Sequence, residues 1–183
     1  MFLSLEFNQI QLRFKINSFA NSLEKGEKYG WTRVSLSLQS RDLQYQIEDK
    51  EILEDLDIKR IFNRLERLLT KQLVRDEVLT FCEPDFKMHL IKTHPAREIN
   101  PNTIDVSTDH EIVPLRMIWI INLWGEGRIL TGHSIQLDLE YSLLEPLYYY
   151  LGYELNLFSV HTPAVKQFLQ EGKLVLESEN SHA

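Results

Sequence analysis

The stretch from Asp57 to Leu90 restricts the fold of this chain more than any other. Within it Ile58, Ile61, Phe62, Leu65, Leu68, Leu69 and Leu73 recur at helical spacing, while Lys59, Arg60, Asn63, Arg64, Glu66 and Arg67 fill the remaining positions. Residues three and four apart share one side of an α-helix, so the segment has one apolar stripe and one polar face. Such a stripe must be buried against another element. The flanking segments alternate apolar with polar residues at period two, the pattern of half-buried strands. The expected class is therefore α+β, with an antiparallel twisted sheet or sheets built from hairpins and two main amphipathic helices packed on it.

The first hairpin can be read from a change of phase. Leu3, Leu5 and Phe7 occupy odd positions, whereas Ile10, Leu12, Phe14 and Ile16 occupy even ones. A two-residue turn at Asn8-Gln9 produces this shift and pairs Phe7 with Ile10, Leu5 with Leu12 and Leu3 with Phe14 on one face. A bulge within one long strand is the alternative. By the same reasoning, a turn at Asn8's counterpart, Ser40-Arg41, pairs Leu38 with Leu43, Leu36 with Tyr45 and Val34 with Ile47 in a second hairpin.

Glu48, Asp49, Glu51, Glu54, Asp55 and Asp57 follow, relieved only by Lys50. Carboxylates before and within a first helical turn meet the positive end of the helix, and Asp57 is placed to cap it, with the helix running over Ile58–Leu73. The same run also offers an acidic surface to a basic partner. After the helix, Glu77–Cys82 and Phe86–Leu90 read as strands hinged on Pro84, and residues 93–114, with Pro95, Pro101 and Pro114, as a long loop. Met117–Trp124 is apolar on both faces, which fits a strand covered twice or one exposing a patch that a partner covers.

Ile135–Tyr141 alternates again. Ser142-Leu143-Leu144-Glu145 has capping-box spacing ahead of a second helix over Leu143–Leu155, in which Gly152 is a weak point. Thr162-Pro163 opens a short third helix that Gly172 stops, and Leu174–Leu176 adds a last strand or packs as a tail. Residues 1–158 are expected to form a single α+β domain, with residues 159–183 as a C-terminal helix and tail appended to it.

Reactive constellations are harder to find. Cys82, the single cysteine, reads as a small buried hydrophobe rather than a nucleophile, and no multi-cysteine metal site can form. His89 and His94 lack helical ligand spacing, so no metal is expected, and the absence of a glycine-rich phosphate loop implies no nucleotide cofactor. Asp138 and Glu140 share the outward side of one strand, with His133 nearby, and are the best candidates for a hydrolase. Tyr148, Tyr149, Tyr150 and Tyr153 surround the second helix and suit either core packing or an interface. A net charge of −7 argues against nucleic acid as a partner. No apolar run is long enough to span a membrane, and the N-terminus lacks the form of a signal peptide, so the expected location is the cytoplasm.

Two hairpins, an amphipathic helix, the segment Leu79-Thr80-Phe81-Cys82-Glu83-Pro84-Asp85-Phe86 and the strand-to-helix step Ile135–Leu151 occur here in one order. With Trp31–Leu38 and the leucine-rich helix around Ile61–Leu69, this order resembles the WapI-type bacterial immunity proteins over roughly residues 1–158. The resemblance implies a cytoplasmic, non-enzymatic protein that binds a cognate toxin domain and blocks it. Toxins of this class that act on nucleic acid present basic surfaces, which makes Glu48, Asp49, Glu51, Glu54 and Asp55 the candidate partner-binding residues. The other readings are a structural or adaptor module using Met117–Trp124 or the tyrosines, and a hydrolase using Asp138 and Glu140.

Overall fold

A computed structural model describes residues 1–7, 9–18, 30–42, 44–81, 86–91, 115–120 and 134–177, and the structural statements below concern these. One five-stranded sheet has the order β4-β3-β2-β1-β9, where β1 is Phe2–Phe7, β2 Ile10–Ser18, β3 Trp31–Gln39, β4 Gln44–Glu54 and β9 Leu174–Val175. A four-stranded sheet has the order β5-β6-β7-β8, where β5 is Glu77–Thr80, β6 Phe86–Leu90, β7 Leu115–Ile120 and β8 Ser134–Leu139. Every neighbouring pair is antiparallel. Three helices, α1 (Asp55–Leu69), α2 (Tyr141–Glu154) and α3 (Pro163–Gln170), complete the described residues, so the class is α+β as expected.

The first hairpin has the register that its phase shift implies: Phe7 faces Ile10, Leu5 faces Leu12 and Leu3 faces Phe14. Gln9, at φ 64, supplies the left-handed residue such a tight turn needs. The second hairpin differs from the expectation by a two-residue slip. Gln39 faces Gln44, which puts Leu38 opposite Tyr45 and Leu36 opposite Ile47, so the connection is four residues long rather than two. A slip of two keeps every side chain on its own face, which is why the alternation could not expose it. The chain's C-terminal strand is no loose tail, because β9 pairs with β1 at Phe2 and Leu3 and extends the sheet.

A larger correction concerns the acidic run. Glu48–Glu54, read as carboxylates leading into the first helical turn, instead continues β4, with register breaks that leave Glu48-Asp49 opposite Ser35 and insert Ile52. Helix α1 then starts at Asp55, three residues earlier than expected. Glu54 is its N-cap, and the Asp57 carboxylate accepts the Glu54 backbone N–H at 3.0 Å in a reciprocal capping box. Similarly, Tyr141 belongs to α2 rather than to the preceding strand. Its N-cap is Glu140, and Ser142 lies inside the helix, where its hydroxyl donates to Glu140 at 2.6 Å.

All three helices end in the same way. Lys71 (φ 58), Asn156 (φ 59) and Gly172 (φ 72) each take the left-handed conformation just past the helix end. The next N–H in each case reaches back to the third-last helical carbonyl: Gln72 to Arg67 at 2.7 Å, Leu157 to Gly152 at 2.8 Å and Lys173 to Phe168 at 2.9 Å. This Schellman geometry satisfies carbonyls that would otherwise be orphaned. It also stops α1 at Leu69, so Leu73, though buried, lies outside the helix.

The inner faces of both sheets meet α1 and α2 in one core. Leu5 and Leu36 from the larger sheet, Met88 and Leu139 from the smaller, Ile58 from α1 and Leu151 from α2 all line one small apolar void of about 20 Å³. Each fully buried leucine removed from water contributes about 2 kcal/mol before entropy is counted. Two buried polar side chains secure the start of α1: Thr32 donates its hydroxyl to the Asp55 carboxylate at 3.0 Å, and the Asp55 N–H donates to the Gly30 carbonyl at 2.9 Å. Sheet and helix are thereby joined at a defined point.

One group inside this frame titrates near neutrality. Glu154, the last residue of α2, is half-buried, and burial pushes its carboxyl up to about 7 despite the amino terminus and Lys15 nearby, while Glu177 opposes its charge. The helix's negative end adds to the cost of ionisation. Its folded pKa exceeds the unfolded value, so between about pH 4.5 and 7 the folded state keeps a proton that the unfolded state has lost. Stability must therefore fall as pH rises through that window and level off above it. Allowing for solvent on the exposed side, the loss is about 1–2 kcal/mol. Glu154→Gln should remove this slope and exceed the parent in denaturant midpoint at pH 8 while matching it at pH 5; parallel pH profiles for the two proteins would rule the account out.

Candidate interaction surfaces

β4 is an edge strand, and its bulge shapes what that edge displays. At the bulge Asp49 adopts φ 49, a conformation that aspartate tolerates better than most residues. A polar network holds it there. The Asp49 N–H donates to Ser35 Oγ at 3.0 Å, and Arg33 donates to the Asp49 carboxylate at 2.7 Å and to its carbonyl at 2.9 Å. Asn17 reaches both Ser35 Oγ (2.7 Å) and the Asp49 carboxylate (3.1 Å). Hydrogen bonding from Arg33 holds the Asp49 carboxyl below its usual range, and Glu51 lies 3.4 Å from the same guanidinium.

The five candidate acidic residues thus fall into two groups. Glu48, Asp49 and Glu51 are exposed along the β4 edge, with Arg33 countering part of their charge. Glu54 is half-buried at the helix cap, and Asp55 is 2% exposed and turned inward onto Thr32. Only the first group faces solvent as a set.

Beside that edge, the outer face of the five-stranded sheet forms a shallow, open trough of about 500 Å³. Arg13, Lys15, Asn17, Ser37, Gln46 and Glu48 line it, from three adjacent strands. The strands' alternation creates this surface: Leu12, Leu36 and Leu38 point inward and bury, so their neighbours must point out. Small-molecule pockets are typically enclosed, whereas this trough is broad and open, and Phe2, Phe14 and Ile47 join the polar residues in its lining.

The carboxylates considered for hydrolysis do not converge. Asp138 lies on the outer face of the smaller sheet opposite Arg116, which binds it through two bonds, Nε to Oδ1 at 2.8 Å and a terminal nitrogen to Oδ2 at 3.0 Å. Hydrogen bonding from Arg116 holds the Asp138 carboxyl below its usual range, which suits a fixed anion and not a proton donor. Glu140 has left the strand and serves the start of α2. His133 lies outside the described residues, as do Cys82, Pro84, His94, His110, the 93–114 loop and 121–124. Among the described residues no group of three His, Cys, Asp or Glu side chains is placed to hold a metal, and no helix is long and apolar enough to cross a membrane.

The tyrosines are largely absorbed into helix packing. Tyr148 stacks on Phe62 of α1 with centroids 4.6 Å apart, and its hydroxyl donates to Glu66 at 3.2 Å. Burial, with the Glu66 charge beside it, raises that hydroxyl to about 12. Tyr149 packs on Phe158 and Phe168, and Tyr150 is fully buried.

A second charged surface involves the arginines that the sequence places on the polar face of α1. The polar face of α1 and strand β5 enclose a groove of about 380 Å³, lined by Arg60, Arg64, Arg75, Asp76, Glu77 and Val78. Arg64 and Arg67 converge on Glu77 at 2.9 and 3.5 Å. The spacing of Arg60, Arg64 and Arg67 places them on one helix face, but only the tertiary fold brings Arg75 to join them. Compared with known proteins, the chain matches no family model, no curated protein and no solved structure.

Proposed function

We propose that this chain is a non-enzymatic, immunity-like protein that binds a cognate toxin domain in the cytoplasm and blocks its active site or its access to substrate. The observation that carries this reading is the bulged β4 edge, which presents Glu48, Asp49 and Glu51 to solvent beside an open trough. A protein partner with a basic surface suits that shape and charge, and an edge of this kind steers association more than it adds raw affinity. The resemblance of the sequence to WapI-type immunity proteins supports the same reading.

The test begins with the tagged protein in its native cell and the identification of what co-purifies in near-equal amount at low and high salt. A toxin domain lost as salt rises supports charge-guided binding. With that domain in hand, Glu48→Lys with Glu51→Lys should weaken binding by about tenfold, chiefly through slower association. Glu54 and Asp55 are left unaltered because their substitution would disturb the start of α1. An unchanged affinity in the double variant would remove the acidic edge from the interface.

A further inference from the structure

The groove between α1 and β5 carries Arg60, Arg64 and Arg75 against Asp76 and Glu77, an excess of positive charge in a protein whose net charge is −7. Glu77 already lies against Arg64 and Arg67, which leaves Arg60 and Arg75 without an ion-pair partner among the described residues. Among the described residues Arg60 donates a 3.3 Å bond to the Thr80 carbonyl on β5, itself an edge strand, and its charge also favours ionised Asp57. Val78, 53% exposed, lines the groove from β5, and Val74, 73% exposed, precedes the groove residue Arg75 in sequence. Guanidiniums without an ion pair among the described residues, beside an exposed valine, form a mixed surface.

We propose that this groove docks a short acidic and apolar segment of a partner protein, with its carboxylates on Arg60 and Arg75 and its apolar side chains on Val74 and Val78. The guanidinium fork matches a carboxylate through paired hydrogen bonds, and burying the valines adds a contribution that a bare anion does not supply. A nucleic acid fits less well, because a polyanion meets the repulsion of the whole acidic molecule, whereas a short segment meets only the local field. The inference rests on this groove alone, so its failure leaves the β4 edge reading intact, and the converse also holds.

The experiment is selection of random short peptides displayed on phage against the full chain at low salt, run in parallel on Arg60→Ala/Arg75→Ala and on Val74→Ser/Val78→Ser. All four residues are solvent-facing, and circular dichroism confirms that each variant remains folded. Enriched sequences should interleave Asp or Glu with Val, Ile or Leu. They should bind the arginine variant about tenfold more weakly, and the valine variant more weakly by a smaller factor. Selection of sequences without acidic bias, no enrichment at all, or retention of the same binders by the arginine variant would each overturn the proposal. Oligothymidylate serves as the competing probe. If it binds more tightly than any selected peptide and is lost in the arginine variant, the groove reads phosphate and the protein-segment assignment falls.

Discussion

Gly152→Ala should destabilise the protein by roughly 1–3 kcal/mol, although alanine is the better helix former by about 1 kcal/mol. A methyl group at this position of α2 would run into the edge of the Phe158 ring and lie 3.0 Å from Phe62 Cε2. Neither ring is free to retreat. The Phe158 N–H is held on the Gly152 carbonyl at 3.1 Å, and its ring packs against Tyr149 with centroids 5.0 Å apart and against Tyr148 at 5.6 Å. Phe62 is 6% exposed and stacked on Tyr148. Thermal melting should show a fall of several degrees to about ten, the range for a chain of this size. A double-mutant cycle identifies the cause. In a Phe158→Ala background the collision is gone, and Gly152→Ala should become neutral or slightly stabilising. An equal penalty in both backgrounds would place the damage elsewhere in the helix.

Gly152 also illustrates what the sequence does and does not disclose. Its helix propensity is a local property, so a weak point in α2 was legible, but its use as a seat for Phe158 depends on a turn that closes only in three dimensions. The first hairpin was legible down to its register because a phase change has few explanations. The second was legible in its faces and not in its register, since alternation is blind to a slip of two. The extension of β4 to Glu54 was hidden for a related reason. The far half of the strand lies at a sheet edge and is bulged, so polar residues on both sides are tolerated and no alternation survives to mark a strand.

The surfaces follow the same division. Acidic residues adjacent in sequence looked like one patch, but bulge and helix cap turn Glu48, Asp49 and Glu51 outward and Asp55 inward. Asp138 and Glu140 looked like a pair until Arg116, from a neighbouring strand, claimed the first and the α2 terminus the second. Arg60, Arg64 and Arg75 gave no joint signal, because α1 and the segment leading into β5 are brought together only by the fold. Helix ends divide too. Gly172 announced itself, whereas Lys71 and Asn156 take the same left-handed conformation without a glycine to mark it.

Tyr150→Phe should cost about 1–3 kcal/mol although it removes one oxygen and leaves the packing intact. The Tyr150 hydroxyl accepts the backbone N–H of Ile16 at 2.7 Å, across the sheet–helix interface and beside the register break that sets Asn17 out of the β2–β3 ladder. An N–H at such a break needs a partner from outside the sheet. With phenylalanine in place of Tyr150, Ile16, itself 5% exposed, would hold an unsatisfied donor where water has little access. The ring would keep its edge-on contact with Phe14, with centroids 5.9 Å apart, so a cavity term is not involved. Burial drives the Tyr150 hydroxyl well above its usual pKa, and the neutral form persists across the physiological range. The loss should therefore be the same at pH 6 and pH 8, unlike the Glu154 effect one turn further along α2. Amide hydrogen exchange gives the local readout: the Ile16 amide should lose protection beyond the global change in stability, and its retention of full protection would show that another acceptor takes the hydroxyl's place.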